Sequence, residues 1–340
     1  MKKIFFLIVI ALLLAASTSV FPAQKQILMG VSYYTNENPN LLMILDGVKS
    51  RAKELGMKVT LASCDFDNAK QMSDIENFIQ MGCSIIMINP NDSAAIPPAI
   101  RECNKAKVPV VMLDIDAKGG DRAAHVTSDN EAMGRYGGEY LAWKLSGKGK
   151  VALLDYPQLD IVKERSDAFK KVIHAFPDMQ IVATDFTVVR EDALTKVENI
   201  LQAHPDLDAI YAINAGGGLG AYYACKAAGN THILITAVDG LPEAVALIKN
   251  GDPQYVEDTS HMTMVLGRTA TETAYAVVQG KKVTYKTVVP VFPVCKESIG
   301  YFPGCDAMKL PTADKMTPPW YKTQSWLVLC DKYGYAGWKK

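Results

Sequence analysis

Between about residue 26 and residue 260 the chain repeats one rhythm: a short apolar run, a turn, then a stretch whose apolar residues recur every three or four positions. "KQILMGVSY" is a strand pattern, and "LLMILDGVKSRAKELG" is a helix ended by Gly56, because glycine accepts the left-handed turn that closes a helix. "MKVTLASC", "CSIIMINP" and "VPVVMLD" are further strands, separated by the helical "AKQMSDIENFIQMG" and "AAIPPAIRECNKAK". "AAHVTS" follows, and a helix over roughly Glu131–Leu145 leads into a second series. There "KVALLDYP", "MQIVATDF", "AIYAIN", "HILITAVD" and "QYVEDTS" alternate with helices such as "ERSDAFKKVIHAF", "EDALTKVENILQAHP" and "LPEAVALIKNG". Apolar strands alternating with helices imply parallel sheets covered on both faces. Two such series in 340 residues predict an α/β fold of two doubly wound parallel-sheet lobes. The end breaks the rhythm. "MVLGRTATETAYAVVQG" is a helix and "KTVVPVFPV" is extended, but from about residue 296 onward Pro, Gly and most of the tryptophans fall without clear period. A tail so aromatic is expected to pack on a lobe.

The start differs from both series. "MKK" is basic, "IFFLIVIALLLAA" is apolar but short for a bilayer span, and "STSVFPAQ" is small and polar. Residues 1–23 therefore read as a secretory signal peptide, cleaved near Ala23, and no cysteine at that point predicts a lipid anchor. Export changes the weight of the glycine run in "INAGGGLGAYYACKAAG". Gly216, Gly218 and Ala221, with Asp239 about 20 positions on, outline a dinucleotide fingerprint. NAD and ATP are scarce outside the cytoplasm, so no cofactor is expected. The 36 basic and 36 acidic side chains balance, which gives no electrostatic reason to expect nucleic acid or a membrane surface as partner. Of seven cysteines, Cys64, Cys83, Cys103 and Cys225 sit in strand or helix patterns and are expected to be buried. Cys295, Cys305 and Cys330 lie in the tail and are the ones expected to pair. No zinc spacing, G-x-S-x-G or H-E-x-x-H occurs, and the five histidines are scattered, so neither a metal site nor an enzyme is expected.

In open parallel sheets, ligands bind beyond the carboxyl ends of strands. The first strand is followed there by Tyr33, Tyr34, Asn36, Asn38 and Asn40; "VVMLDID" ends on Asp114 and Asp116; Asn214 and Asp239 end two later strands, and Lys163 and Arg165 stand at a helix start. Carboxylate, amide and guanidinium groups converging on one cleft can satisfy many hydroxyls at once. Each residue alone would serve equally well as a helix cap. Their recurrence in both series favours a cleft that binds a hydroxyl-rich solute.

"VSYYTNENPNLLMILDGVKSRAKELG", "INPNDSAAIPPAI", "KVPVVMLDIDA", "HVTSDNEAMGRYGGEYLA", "KERSDAF", "LQAHPDLDAIYAIN" and "AVDGLPEAV", in this order, resemble the periplasmic solute-binding proteins of sugar ABC importers, the ribose-binding type, over about residues 27–293. The resemblance implies two lobes closing on one ligand about a hinge of three crossings, near Ser128–Asp129, Ser260–His261 and Val288–Val291. It divides the chain into an N-terminal lobe of residues 25–128 plus 261–290, a C-terminal lobe of 129–260, and a hinge return with extension over 291–340. It carries ligand contacts onto Asn38, Leu41, Asp114, Arg165, Asn214, Asp239 and His261; strand-end position adds Tyr34 and Asp116. Asn40 and Leu41 replace two aromatics that sandwich the sugar in ribose-type members, Ile115 replaces an Arg, a third aromatic position falls near Val188, and His261 replaces a Gln. The implied function is capture of a sugar or small polyol for an inner-membrane permease, by a monomer in the periplasm. The alternative is a receptor that presents its ligand to a membrane sensor kinase or chemoreceptor.

Overall fold

The computed structural model describes residues 26–157, 159–304 and 309–337; the expected signal peptide and Cys305 lie outside them. The first half runs β1 (Leu28–Tyr33), α1 (Pro39–Glu54), β2 (Lys58–Ser63), α2 (Asn68–Gln80), β3 (Ile85–Ile88), α3 (Pro97–Lys105), β4 (Val110–Leu113) and β5 (Ala124–Ser128). The second runs α4 (Asn130–Lys144), β6 (Lys148–Asp155), α5 (Asp160–His174), β7 (Asp178–Phe186), α6 (Arg190–Ala203), β8 (Ala209–Ala212), α7 (Ala215–Ala227), β9 (Leu234–Asp239), α8 (Pro242–Lys249) and β10 (Tyr255–Ser260). Then come α9 (Thr263–Val278), β11 (Lys286–Val289), β12 (Phe292–Cys295), the short α10 (Ala313–Met316) and α11 (Gln324–Tyr333).

The strands form two six-stranded sheets of matching order, β11-β5-β4-β3-β1-β2 and β12-β10-β9-β8-β6-β7. Every pairing is parallel except β10 with β12. The central strands β3, β4 and β8 are buried throughout, as their unbroken apolar runs require, while the edge strand β2 is half exposed. The chain passes between sheets three times: after β5, after β10, and between β11 and β12. The extended "KTVVPVFPV" is thus two strands in different sheets, divided at Pro290. In each sheet the strand order reverses beside the first strand, between β1 and β3 and between β6 and β8, which is where an open α/β sheet leaves a crevice.

Local sequence fixes the helix ends. Asn38 caps α1 through its side-chain oxygen and Pro39 follows at the first helical position, where its fixed φ already suits a helix. Helix α4 approaches α5 at Gly134, where a Cβ would lie 1.8 Å from the Arg165 carbonyl oxygen, so only glycine lets the two backbones meet.

The tail belongs to the second lobe. Trp320 and Trp326 are fully buried, Tyr321 stacks on Trp326 with centroids 6.1 Å apart, and both pack with Tyr140 and Phe176. A carboxylate anchors them: buried Glu139 on α4 accepts hydrogen bonds from Arg135 and from the hydroxyls of Tyr321 and Tyr335. Burial raises the Glu139 pKa, while Arg135 and the two hydroxyls oppose that rise. The expected tail pairing meets a correction at Cys295: it is a buried thiol whose Sγ lies 3.3 Å from Ser298 Oγ, in no disulfide. Cys330 packs in the same apolar cluster. Trp326→Ala should cost about 3–5 kcal/mol, the usual loss for a buried large aromatic. Urea unfolding at equilibrium measures this, and a cost below about 1 kcal/mol would show that the tail is an appendage rather than core.

Candidate functional site

The carboxyl ends of both sheets face one another across the crevice, and the protein's own contacts already bridge it. Asn40 Nδ2 on α1 lies 3.4 Å from Asp239 Oδ1 after β9, and Lys118 Nζ lies 3.2 Å from Asp160 Oδ2. The lobes are therefore drawn together, with polar side chains from each enclosed between them.

On the first lobe, Asn38 does two jobs. Its Oδ1 accepts from the backbone N–H groups of Asn40 (2.9 Å) and Leu41 (3.2 Å), and its Nδ2 donates to the Tyr34 hydroxyl at 2.8 Å. Burial raises the Tyr34 pKa, and the Asp114 and Asp239 carboxylates raise it further while Arg165 lowers it; these groups share one electrostatic neighbourhood. Asp114 holds a left-handed backbone, φ 62°, uncommon for a residue with a side chain. Leu41 is buried in the apolar core of the first lobe.

On the second lobe, Arg165 of α5 is buried and engaged at each of its three nitrogens: Nε donates to Asn130 Oδ1 (2.8 Å), Nη1 to the Ile213 carbonyl (3.0 Å), and Nη2 lies 2.9 Å from His261 Nε2. On the other side of that ring, His261 Nδ1 lies 3.3 Å from Ser128 Oγ. Asp239, with φ 125°, accepts from the Ala215 N–H at 3.2 Å, and its Oδ1 lies 3.3 Å from His261 Nε2. Asn214 caps α7 through the Gly217 N–H (2.8 Å) and donates to the Val188 carbonyl (2.9 Å), so its amide is committed to the protein. The glycine run packs rather than cradles: a Cβ on Gly218 would lie 2.6 Å from Ala237 Cβ. Asp116 turns away from this group. It accepts from the Tyr285 hydroxyl at 3.2 Å and sits 3.5 Å from Arg122 Nε and 3.6 Å from His125 Nδ1.

Four buried polar atoms here lack a hydrogen-bond partner among the described residues: Asn40 Oδ1, Asp114 Oδ1, and both amide atoms of Asn89. Asn89 is 1% exposed and follows β3 directly, its N–H paired with the Ser32 carbonyl at 2.8 Å. Sequence reasoning passed over it although "CSIIMINP" places it at a strand end, the very position that selected the other polar residues. Unpaired amides at this depth cost free energy unless something else pairs with them.

A family model described as periplasmic binding protein domain matches residues 29–282. The ribose import binding protein of Bacillus subtilis is 34% identical over 304 residues, 85% of this chain and 97% of that protein. Among solved structures, an ABC transporter solute binding protein from Mycobacterium smegmatis with bound glycerol aligns at a TM-score of 0.76 and 29% identity, covering 81% of this chain and 96% of its own. A periplasmic solute binding protein from Actinobacillus succinogenes with bound D-allose gives a TM-score of 0.76 and 25% identity, covering 82% and 100%.

The contrast between paired and unpaired groups gives a stability test on the ligand-free protein. Asn89→Ala removes no protein hydrogen bond from its side chain and should leave unfolding free energy within about 1 kcal/mol of the parent. Arg165→Ala strips partners from Asn130, Ile213 and His261 and should cost about 3–5 kcal/mol. Equal losses in urea unfolding would mean that Asn89 is a structural residue, not one awaiting a ligand.

Proposed function

We propose, from the premise that this chain belongs to the periplasmic binding protein domain family, that it is the solute-receiving component of an ABC importer for a small sugar or polyol. It binds and releases its solute without chemical change. The observation that carries the ligand class is the set of unpaired polar atoms enclosed at the strand ends. Asn40 Oδ1, Asn89 Oδ1 and Asp114 Oδ1 ask for donors, and Asn89 Nδ2 asks for an acceptor. A hydroxyl both donates and accepts, so several hydroxyls on a small carbon frame answer all four. The relatives' named ligands, ribose, glycerol and D-allose, share that chemistry.

In this reading Tyr34, Asn40, Asn89, Asp114, Arg165, Asp239 and His261 face the solute. Asn38 and Asn214 act behind them by fixing the starts of α1 and α7, and Leu41 and Asp116 lie further back. Asn40 and Leu41 stand where an aromatic pair would clasp a sugar ring, which favours a compact furanose or an acyclic polyol over a flat pyranose face. The lobes, residues 25–128 with 261–290 and residues 129–260, close about the three crossings and present the closed form to an inner-membrane permease. The protein works in the periplasm, as a monomer.

Thermal unfolding against D-ribose, D-allose, xylitol and glycerol tests this. A true ligand at 100 times its Kd adds about 2.7 kcal/mol and a clear rise in Tm. No rise with any sugar or polyol would remove the ligand class. With the ligand found, Asn89→Ala should weaken binding by at least about tenfold, one lost polar contact to a buried ligand group.

A further inference from the structure

Both strand-end aspartates adopt a left-handed backbone, Asp114 at φ 62° and Asp239 at φ 125°. Neither residue is glycine, and such conformations persist only where surroundings impose them. The turn at Asp114 is tight: the Ile115 N–H bonds back to the Leu113 carbonyl at 2.7 Å across it.

The same device stands behind each. In the first sheet, His125 of β5 pairs with Met112 of β4, two residues before Asp114. Its Nε2 lies 2.8 Å from the Asp114 carbonyl oxygen, and since a carbonyl only accepts, Nε2 carries the proton and donates. In the second sheet, Asp258 of β10 pairs with Ala237 of β9, two residues before Asp239. Its Oδ1 accepts the N–H of Gly240, the residue after Asp239, at 2.6 Å, while Oδ2 accepts from the Tyr255 hydroxyl at 2.7 Å. β5 and β10 occupy equivalent places in the two sheets, each flanked on its far side by β11 or β12. His125 and Asp258 are both buried, 5% and 0% exposed. Two lobes of different sequence thus place a buried polar side chain at one register position, and each reaches forward to the backbone at the strand-end aspartate.

We infer that His125 and Asp258 are positioning residues, which touch no solute but hold the Asp114 and Asp239 turns in the left-handed conformation that aims the two carboxylates into the cleft. His125 grips the carbonyl of its aspartate and Asp258 the amide that follows. Asp258 is suited to a lasting grip because Tyr255 and Gly240 satisfy both of its oxygens. Burial, together with the nearby Asp239 carboxylate, pushes its pKa up to about 7 against these two bonds. Asp116 Oδ2 lies 3.6 Å from His125 Nδ1, behind the ring and away from the Asp114 carbonyl.

The inference rests on the reading that Asp114 and Asp239 face the solute, so its test has one arm that needs no ligand. The full-length mature protein and its His125→Ala and Asp258→Ala variants are crystallised without ligand, and their affinities for D-ribose and xylitol are measured by calorimetry. Expected are a shift of Asp114 or Asp239 out of the left-handed region and a Kd raised at least about tenfold in protein that circular dichroism shows to be folded. His125→Gln and Asp258→Asn, which keep the donor and the acceptor, should return to within about threefold of the parent. A residue that only supported the fold would lower Tm without moving the Kd of the folded protein. If the alanine variants fail to fold, His125→Phe and Asp258→Leu, which keep volume without the polar atom, are read in their place. Folded variants with the parent Kd, or with both aspartates still left-handed, would overturn the inference. If the parent binds neither probe, the ligand reading is what falls, and the backbone conformation alone decides this one.

Discussion

A guanidinium cannot be buried unless acceptors meet its N–H groups, and the position of those acceptors decides what it holds together. Arg165 draws one from each of three places: Asn130 just past the first crossing, the Ile213 carbonyl at the end of β8, and His261 at the second crossing. Ser128 Oγ, at the last residue of β5, donates in turn to the His261 carbonyl at 3.3 Å. One side chain therefore fastens two of the three crossings to the floor of the cleft. Movement at the crossings and placement of the binding groups become one mechanical question, because neither set can shift without breaking bonds to the same cation.

Around that fixed point the polar groups divide by whether the protein satisfies them. Those of Asn38 and Asn214 are spent on helix starts, the Tyr34 hydroxyl and the Val188 carbonyl, so they build the frame. Those of Asn40, Asn89 and Asp114 retain unspent atoms, the ones the proposed reading turns toward a solute. The division explains how one cleft can be both rigid and unsaturated. Pre-formed geometry spares the solute the entropy of ordering its own site, and the unpaired atoms supply the driving force for its entry.

Much of this was legible in the residues. Parallel sheets followed from runs such as "CSIIMINP" and "VPVVMLD", too apolar to have a wet face. The strand-end rule singled out Tyr34, Asp114 and Asp239, which share one electrostatic neighbourhood with Arg165. It did not tell a committed amide from an unpaired one: Asn214 and Asn89 look alike in sequence, and only the hydrogen-bond partners separate them. Asp116 illustrates the limit of counting along a strand, since the left-handed turn at Asp114 redirects the chain within two residues. The tail lacked period because its partner is not its own helix but α4, α5 and the buried carboxyl of Glu139, contacts that no local pattern records.

The way the sheets share the chain has a consequence for a polypeptide that emerges amino end first. The first sheet is completed by β11, and its helix α1 is covered by α9, so that lobe waits for residues up to 289. The second needs β12 and then Trp320 and Trp326 from the last few dozen residues. The first lobe cannot complete its sheet before β11, nor the second its core before β12 and the two tryptophans. Long-range closure of this kind is slow to form and leaves apolar surface open meanwhile. A chain emerging amino end first therefore stays open through most of its length, and both lobes gain their final stability close to its end.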